Sequence, residues 1–412
     1  MNESAHPTHA PLSQFARVNH ELMIGGVPLT QLAARVGSTP FYAYDRQLLS
    51  DRVAQLRAQL PGEIHLHYAM KANPMPAVVG HMAPLVDGID VASHNEMLVA
   101  LDSGMAPQRI SFAGPGKTTA EIRCAVAAGI VLNLESEREL AEVIAAGKAL
   151  RTTPRVAIRV NPDFECKGSG MRMSGGAKPF GIDAERVPAM LKVIEDAALN
   201  FEGFHIFTGS QNLRAEAVIE AQKNVLALAY KLAAATAMPT RMLNIGGGFG
   251  IPYFPGDTPL NSATIGAHLA QTMPEIKQNL PHATVVVELG RYFVGEAGVY
   301  VSRVTDRKTS RGQTFLVVDG GMHHHLAASG NFGQVIRKNY PVAVGTRMDA
   351  AETEIVSVVG PLCTPLDLLA DKVALAHADI GDLIVVFQSG AYGPTASPQH
   401  FLSHPHVREV LV

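Results

Sequence analysis

The sequence predicts an α/β protein built as a (β/α)8 TIM barrel with a C-terminal β domain. Eight short runs rich in β-branched or aromatic residues, each trailed by a helix-patterned stretch, follow one another between residues 64 and 290. Eight strand–helix units over that length match a closed parallel barrel. After Arg291 the long helices stop, and strand-like runs succeed one another through short connections.

In chain order, the polar leader MNESAHPTHAPLSQF lacks a basic region followed by an apolar core, so it is expected to be loose and not a signal peptide. VPLTQLAARVG reads as a short helix and FYAYD as a strand. The barrel runs are IHLHYAMK, GIDVAS, RISFAG, VLNLES, VAIRVN, FEGFHIF, MLNIGG and TVVVELG. Between them lie helical patterns such as TTAEIRCAVAAG and SERELAEVIAAGKAL, the latter opening with Ser136 and Glu139 at capping-box spacing. VYVSRVTDRK, QTFLVVDGG, AETEIVSVVG and DLIVVFQSG supply strands to the final domain. The expected division is residues 1–30 joining the β domain, 31–294 as the barrel and 295–412 as the β domain.

Composition narrows the function. With 412 residues, 47% hydrophobic and 17% charged, the chain can bury a large core. A net charge of -3 with scattered basic residues leaves no footprint for nucleic acid. No run reaches the length of apolar sequence that a membrane span needs. Three cysteines, Cys124, Cys166 and Cys363, are too few and too far apart for a disulfide framework or a zinc cluster. A cytoplasmic protein acting on a small molecule is expected.

In such a barrel the loops after the strand C-termini build the active site. Polar residues fall there: Lys71 after the first strand, Asp90 and Ser93 after the second, Arg159 and Asn161 after the fifth. His205 ends the sixth, Gly246 to Gly248 the seventh, and Glu288 with Arg291 the eighth. A lysine backed by apolar residues is expected to be partly desolvated, which favours the neutral amine that forms a Schiff base. The plainer alternative is a solvated strand end. NIGGGFGIP offers bare backbone N–H groups to a phosphate, or else forms a tight turn, and Ile251 spoils the dinucleotide fingerprint. GPGKTT lacks the upstream glycine of a P-loop and reads as a helix entry. His323, His324 and His325, read on an extended segment, point to alternate faces, so no metal is expected.

YAMKAN, DVAS followed by Glu96, GFHIFTGSQ, NIGGGFG, ELGR, GPLCTPLD and SGAYG occur in that order. Through them the chain resembles, from about residue 25 onward, the fold-type III pyridoxal-phosphate decarboxylases. That group contains the diaminopimelate, ornithine and arginine decarboxylases, on an alanine racemase-like barrel. The resemblance implies that Lys71 carries pyridoxal 5'-phosphate as an internal aldimine and that Asp90 and Arg159 buttress lysine and ring. It implies that Ser210, Gly247, Gly248 and Tyr392 hold the phosphate, with Arg291 in support. Glu288 would face the pyridine nitrogen and keep it protonated, so that the ring accepts the electron pair left by departing carbon dioxide. Racemases of the same barrel place an arginine there, so Glu288 favours decarboxylation. Cys363, which alone would read as a buried small hydrophobe, matches the family's proton donor across a dimer interface. A homodimer with shared active sites is implied, with residues 388–402 returning to the active site.

Three departures bear on the substrate. Phe207 replaces the family's ring-stacking histidine, Thr364 follows the cysteine where an acid is common, and Ala327 stands where diaminopimelate decarboxylases place an arginine. His205, Thr364 and Asp367 are the substrate-binding candidates. The missing charges suggest a far end that is amidated or attached to something bulky. HIFTGSQNL and ASPQHFLSHP resemble the exosortase A system-associated pyridoxal-dependent decarboxylases, and the butirosin-pathway glutamyl-carrier-protein decarboxylase is similar. That likeness implies an amino acid or an aminoacyl group on an acyl-carrier protein as substrate. A racemase or epimerase, and a non-catalytic binding relative, are the alternatives.

Overall fold

The structure, a computed structural model, describes residues 7–164, 171–172 and 175–412; Cys166 lies outside them. The chain forms two compact units, one of Arg52–Gly250 with Leu260–Gly290 and one of Met1–Asp51 with Ile251–Pro259 and Arg291–Val412.

The first unit is the barrel. Its strands are β1 (His65–Ala69), β2 (Gly88–Val91), β3 (Ile110–Phe112), β4 (Val131–Leu134), β5 (Arg155–Asn161), β6 (Asn200–His205), β7 (Met242–Gly247) and β8 (Thr284–Leu289). Each pairs in parallel with the next, β8 pairs with β1, and the ring closes. The strands are buried almost throughout and read as continuous apolar runs because helices cover their outer face. At Gly203 the ring is tight: its φ is 143° and a Cβ there would stand 1.9 Å from the carbonyl oxygen of Met242.

Helix entries follow the sequence with one difference. Thr118 and Glu121 form a complete capping box before the helix Thr119–Ala128. At Ser136 the box is half made: Ser136 caps the Glu139 N–H, while the Glu139 carboxylate turns inward to Glu135 N and Lys117 Nζ.

In the second unit the sheet runs Val342–Val344, Leu383–Val386, Gly298–Ser310, Gln313–Val318, Glu354–Val359, Leu368–Leu375. Phe41–Tyr44, expected within the barrel, belongs here instead. It pairs antiparallel with Gly298–Val301 and parallel with Arg408–Leu411. All four of its residues are buried, and Phe41 and Ala43 share a core with Leu22, Ile24, Leu29, Val299, Val385 and Phe387. The boundary thus lies at residue 51 rather than 30. The first thirty residues contribute a separate small sheet of Arg17–Val18, Glu21–Ile24 and Val27–Pro28.

The triple histidine also departs from expectation. The backbone turns there, with His324 N and His325 N both donating to Gly321 O, so all three rings are buried instead of alternating. His324 Nε2 donates to Pro405 O (2.8 Å), and His325 Nε2 lies 2.9 Å from Ser389 Oγ. Burial pushes the His323 and His325 imidazoles down to about 3, which keeps them neutral. Among the described residues no group of three or more His, Cys, Asp or Glu is placed to hold a metal ion. No helix among them is long and apolar enough to cross a membrane.

Candidate active site

At the C-terminal mouth of the barrel a cavity of about 220 Å³ is lined by Lys71, Asp90, Arg159, Phe180, His205 and Glu288, among others. Five of these six were candidates from sequence; Phe180 was not.

Strand β1 stops at Ala69, and Lys71 follows within a single 3-10 turn, Met70–Ala72. The turn is pressed against the end of β8, where a Cβ on Gly290 would lie 2.8 Å from that of Ala72. Lys71 is exposed to the cavity mouth instead of desolvated by the strand, and its Nζ lies 5.8 Å from the Phe207 ring centre.

Glu288 points from β8 and is buried. Asn244 Nδ2 donates to its Oε2 (2.9 Å), and His205 Nε2 sits 3.0 Å from the same oxygen. Burial pushes its pKa up, but His205 foremost, then Lys71 and Arg159, outweigh this and hold it well below the usual carboxylate range. It is therefore an ionised acceptor at neutral pH.

Asp90 on β2 anchors a polar girdle. His67 Nδ1 lies 3.0 Å from its Oδ1, Ser111 Oγ donates to the same atom (2.5 Å), and Asn133 Nδ2 donates to Ser111 Oγ (3.2 Å). Burial pushes the His67 imidazole down, yet Asp90 leaves it raised overall. The second Asp90 oxygen, Oδ2, is closed to water and has no hydrogen-bond partner among the described residues. A buried carboxylate oxygen without a donor is rare unless a ligand or water supplies one.

Arg159 on β5 donates from Nη1 to Glu135 Oε1 (2.9 Å) and lies 5.1 Å from the Phe180 ring centre. Glu135 also accepts from Gly114 N (2.5 Å) and Gly181 N (3.0 Å). Beside it, buried Lys117 donates to Glu139 Oε2 (3.0 Å), Gly114 O (2.7 Å) and Asn133 O (2.8 Å). His67, Lys117 and Glu135 were missed as site residues. Glu135 directly follows β4, so the strand-end rule that picked out Asp90 would have found it.

The glycine run that ends β7 is bare where a side chain cannot fit. A Cβ on Gly247 would stand 2.1 Å from Glu288 O, and one on Gly248, whose φ is 72°, 2.5 Å from Gly209 O. Ser210 lies beside this loop on the short strand Gly209–Ser210. An amine, an ionised carboxylate, an unfilled carboxylate oxygen and a glycine cradle fit pyridoxal phosphate.

Comparison with known proteins identifies the family. The family described as pyridoxal-dependent decarboxylase, pyridoxal binding domain, matches residues 46–295. The chain belongs to the pyridoxal-dependent decarboxylases. It is 36% identical over 393 residues to the L-glutamyl-(BtrI acyl-carrier protein) decarboxylase of Niallia circulans, covering 93% of this chain and 90% of that one. It is 32% identical over 397 residues to a diaminopimelate decarboxylase of Aquifex aeolicus, covering 95% and 90%. The solved diaminopimelate decarboxylase of Helicobacter pylori complexed with L-lysine superposes with a TM-score of 0.82 at 27% identity, covering 93% of this chain and 94% of that one.

The β unit of this decarboxylase holds the remaining candidates. Arg291 Nη1 donates to the Tyr253 hydroxyl (2.9 Å), and its guanidinium lies 4.7 Å from the Tyr392 ring centre. Tyr392 has a φ of 53°, a conformation that costs energy for an aromatic residue and marks a constrained position. Cys363 is a free, exposed thiol, unlike the buried hydrophobe that an isolated cysteine suggests. Thr364 is half-buried and its hydroxyl accepts from Leu366 N (3.3 Å). Asp367, the other substrate-binding candidate, is held by the backbone around it. It is buried, and its two oxygens accept from Met322 N (2.6 Å) and Leu362 N (2.8 Å), so it clamps two loops together.

Proposed function

We propose that this decarboxylase removes the α-carboxylate of an aminoacyl group carried by an acyl-carrier protein, or of the corresponding free amino acid, as a cytoplasmic homodimer. The observation that carries the reading is the placement of the Lys71 amine and the ionised Glu288 carboxylate on one barrel-mouth cavity. Bound pyridoxal phosphate supplies the electron sink that accepts the pair released with carbon dioxide.

In this reading Lys71 holds the cofactor covalently, while Gly247, Gly248, Ser210, Arg291 and Tyr392 hold its phosphate. Glu288 keeps a proton on the ring nitrogen, and Asn244 and His205 keep Glu288 in place. Asp90 and Arg159 flank the ring, each already oriented by a buried partner. Phe207 offers an apolar face. Cys363, exposed in one subunit, delivers a proton to the α-carbon in the site of the other. Thr364 and Ala327 leave the far end without the usual charges, in keeping with the carrier-linked glutamyl group named for the Niallia circulans relative. Free thiols at Cys124 and Cys363 suit a reducing cytoplasm.

The test is carbon dioxide release from L-glutamyl-carrier conjugates and free amino acids by wild type and Lys71→Ala. Release by the wild type and none by the variant is expected. Retained turnover in Lys71→Ala, or loss of optical activity without carbon dioxide, contradicts the reading.

A further inference from the structure

Asp90 lines the cavity that also holds Lys71, and side chains of neighbouring strands grip its carboxylate from inside the barrel. His67 stands on β1, the strand that leads into Lys71, Ser111 on β3 and Asn133 on β4, and all four residues are buried. His67 Nδ1 (3.0 Å) and Ser111 Oγ (2.5 Å) both meet Asp90 Oδ1. A carboxylate only accepts, so the hydrogen in the first contact sits on Nδ1. The Asn133 amide nitrogen only donates. Ser111 Oγ accepts from it at 3.2 Å and so sends its own hydrogen to Asp90.

The barrel makes room for the imidazole. A Cβ on Gly88, at the start of β2, would lie 2.5 Å from His67 Nε2. Apolar side chains normally fill such a core, and a buried polar train is tolerated there only when its members pair with one another. Neither His67 nor Ser111 lines the cavity, so any effect of theirs on it passes through Asp90. The charged groups around the imidazole are Asp90 and Asp87 on the β2 side, Glu288 on β8 and His65 on its own strand. Lys71 itself acts on Glu288 and Glu96.

We infer that His67 and Ser111 are positioning residues for the Lys71 linkage. They fix Asp90 as a stationary anion beside the cavity, and that anion favours a proton on the nitrogen through which Lys71 holds the cofactor. Hydrogen bonds to a carboxylate favour its charged form, and a nearby anion favours a cationic nitrogen. The inference rests on the cofactor attachment proposed above and deepens it.

The test is a pH titration of the cofactor absorption band in the loaded enzyme, whose midpoint reports the proton on that nitrogen. His67→Leu is expected to lower the midpoint by about one pH unit or more. His67→Asn, whose amide nitrogen donates from nearly the place of Nδ1 without carrying charge, is expected to restore it. An unmoved midpoint in His67→Leu overturns the inference. So does a raised one, because the ring would then be acting as a cation and not through Asp90. On an Asp90→Asn background His67→Leu is expected to add nothing, and a further shift there contradicts action through Asp90. Ser111→Ala takes the other donor from the same oxygen with less disturbance. It is expected to lower the midpoint too, and it decides the matter if His67→Leu fails to fold. A merely structural role changes the melting temperature and leaves the midpoint in place. A wild type with no Lys71-bound cofactor band overturns the earlier reading as well, whereas a band whose midpoint ignores His67 and Ser111 overturns this inference alone.

Discussion

In the proposed reaction, Glu288 is the residue on which the chemistry turns. Its carboxylate stays ionised inside the barrel because His205, Lys71 and Arg159 outweigh the effect of burial, and only an ionised group there can favour a protonated ring nitrogen. Glu288→Gln preserves shape but loses the charge, so kcat is expected to fall about a hundredfold or more while the cofactor stays attached. Single-turnover kinetics with a cofactor absorption spectrum measure both, and a kcat within threefold of wild type would contradict the role. Glu288 was legible because ELGR ends a strand pattern and places an acid at the rim. The setting of Asp367 was less legible at the same scale. Its motif resembles that of the family, yet only the fold reveals that Gly321 and Gly360 close around its carboxylate, where a Cβ on either would lie within 2.2 Å of a carboxylate oxygen.

The element scale shows how rim side chains are aimed. Loops after β3, β4 and β5 meet at Glu135, which binds Gly114 N, Gly181 N and Arg159 together. Removing its charge strands Arg159, so Glu135→Gln is expected to cost about 3–5 kcal/mol at neutral pH. The pH dependence follows from its sign. Burial raises the Glu135 pKa, but Arg159 and Lys117 lower it further, so the folded value lies below the usual 4.5. The stabilisation is complete above that value and disappears as pH falls through the folded one. Denaturant melts of wild type and Glu135→Gln should converge in acid, and a gap that widens there would contradict the ion pair. All eight barrel strands were legible, because buried parallel strands read as apolar runs. Phe41–Tyr44 was recognised as a strand and assigned to the wrong unit, since its partners lie some 250 and 360 residues later in the chain, a separation that no local pattern carries.

At the scale of the whole molecule, the barrel carries Lys71 and the β unit carries Cys363. If the proton donor comes from the partner subunit, Lys71→Ala and Cys363→Ala chains co-expressed together form hybrids with one intact site. About a quarter of wild-type activity is expected from random pairing of the two chains, against almost none from either variant alone. No recovery would show that the two residues act within one chain. The fold class and the family were open to reading because seven motifs keep their order along the chain. The buried Lys117–Glu139 pair was not, because a lysine becomes tolerable inside only when its carboxylate arrives from a distant turn of sequence.

The most direct measurement is borohydride reduction of the reconstituted enzyme, followed by peptide mass mapping. A pyridoxyl adduct is expected on the Lys71 peptide, in the wild type and not in Lys71→Ala. An unmodified Lys71 in fully loaded protein, or an adduct on another lysine, would contradict it.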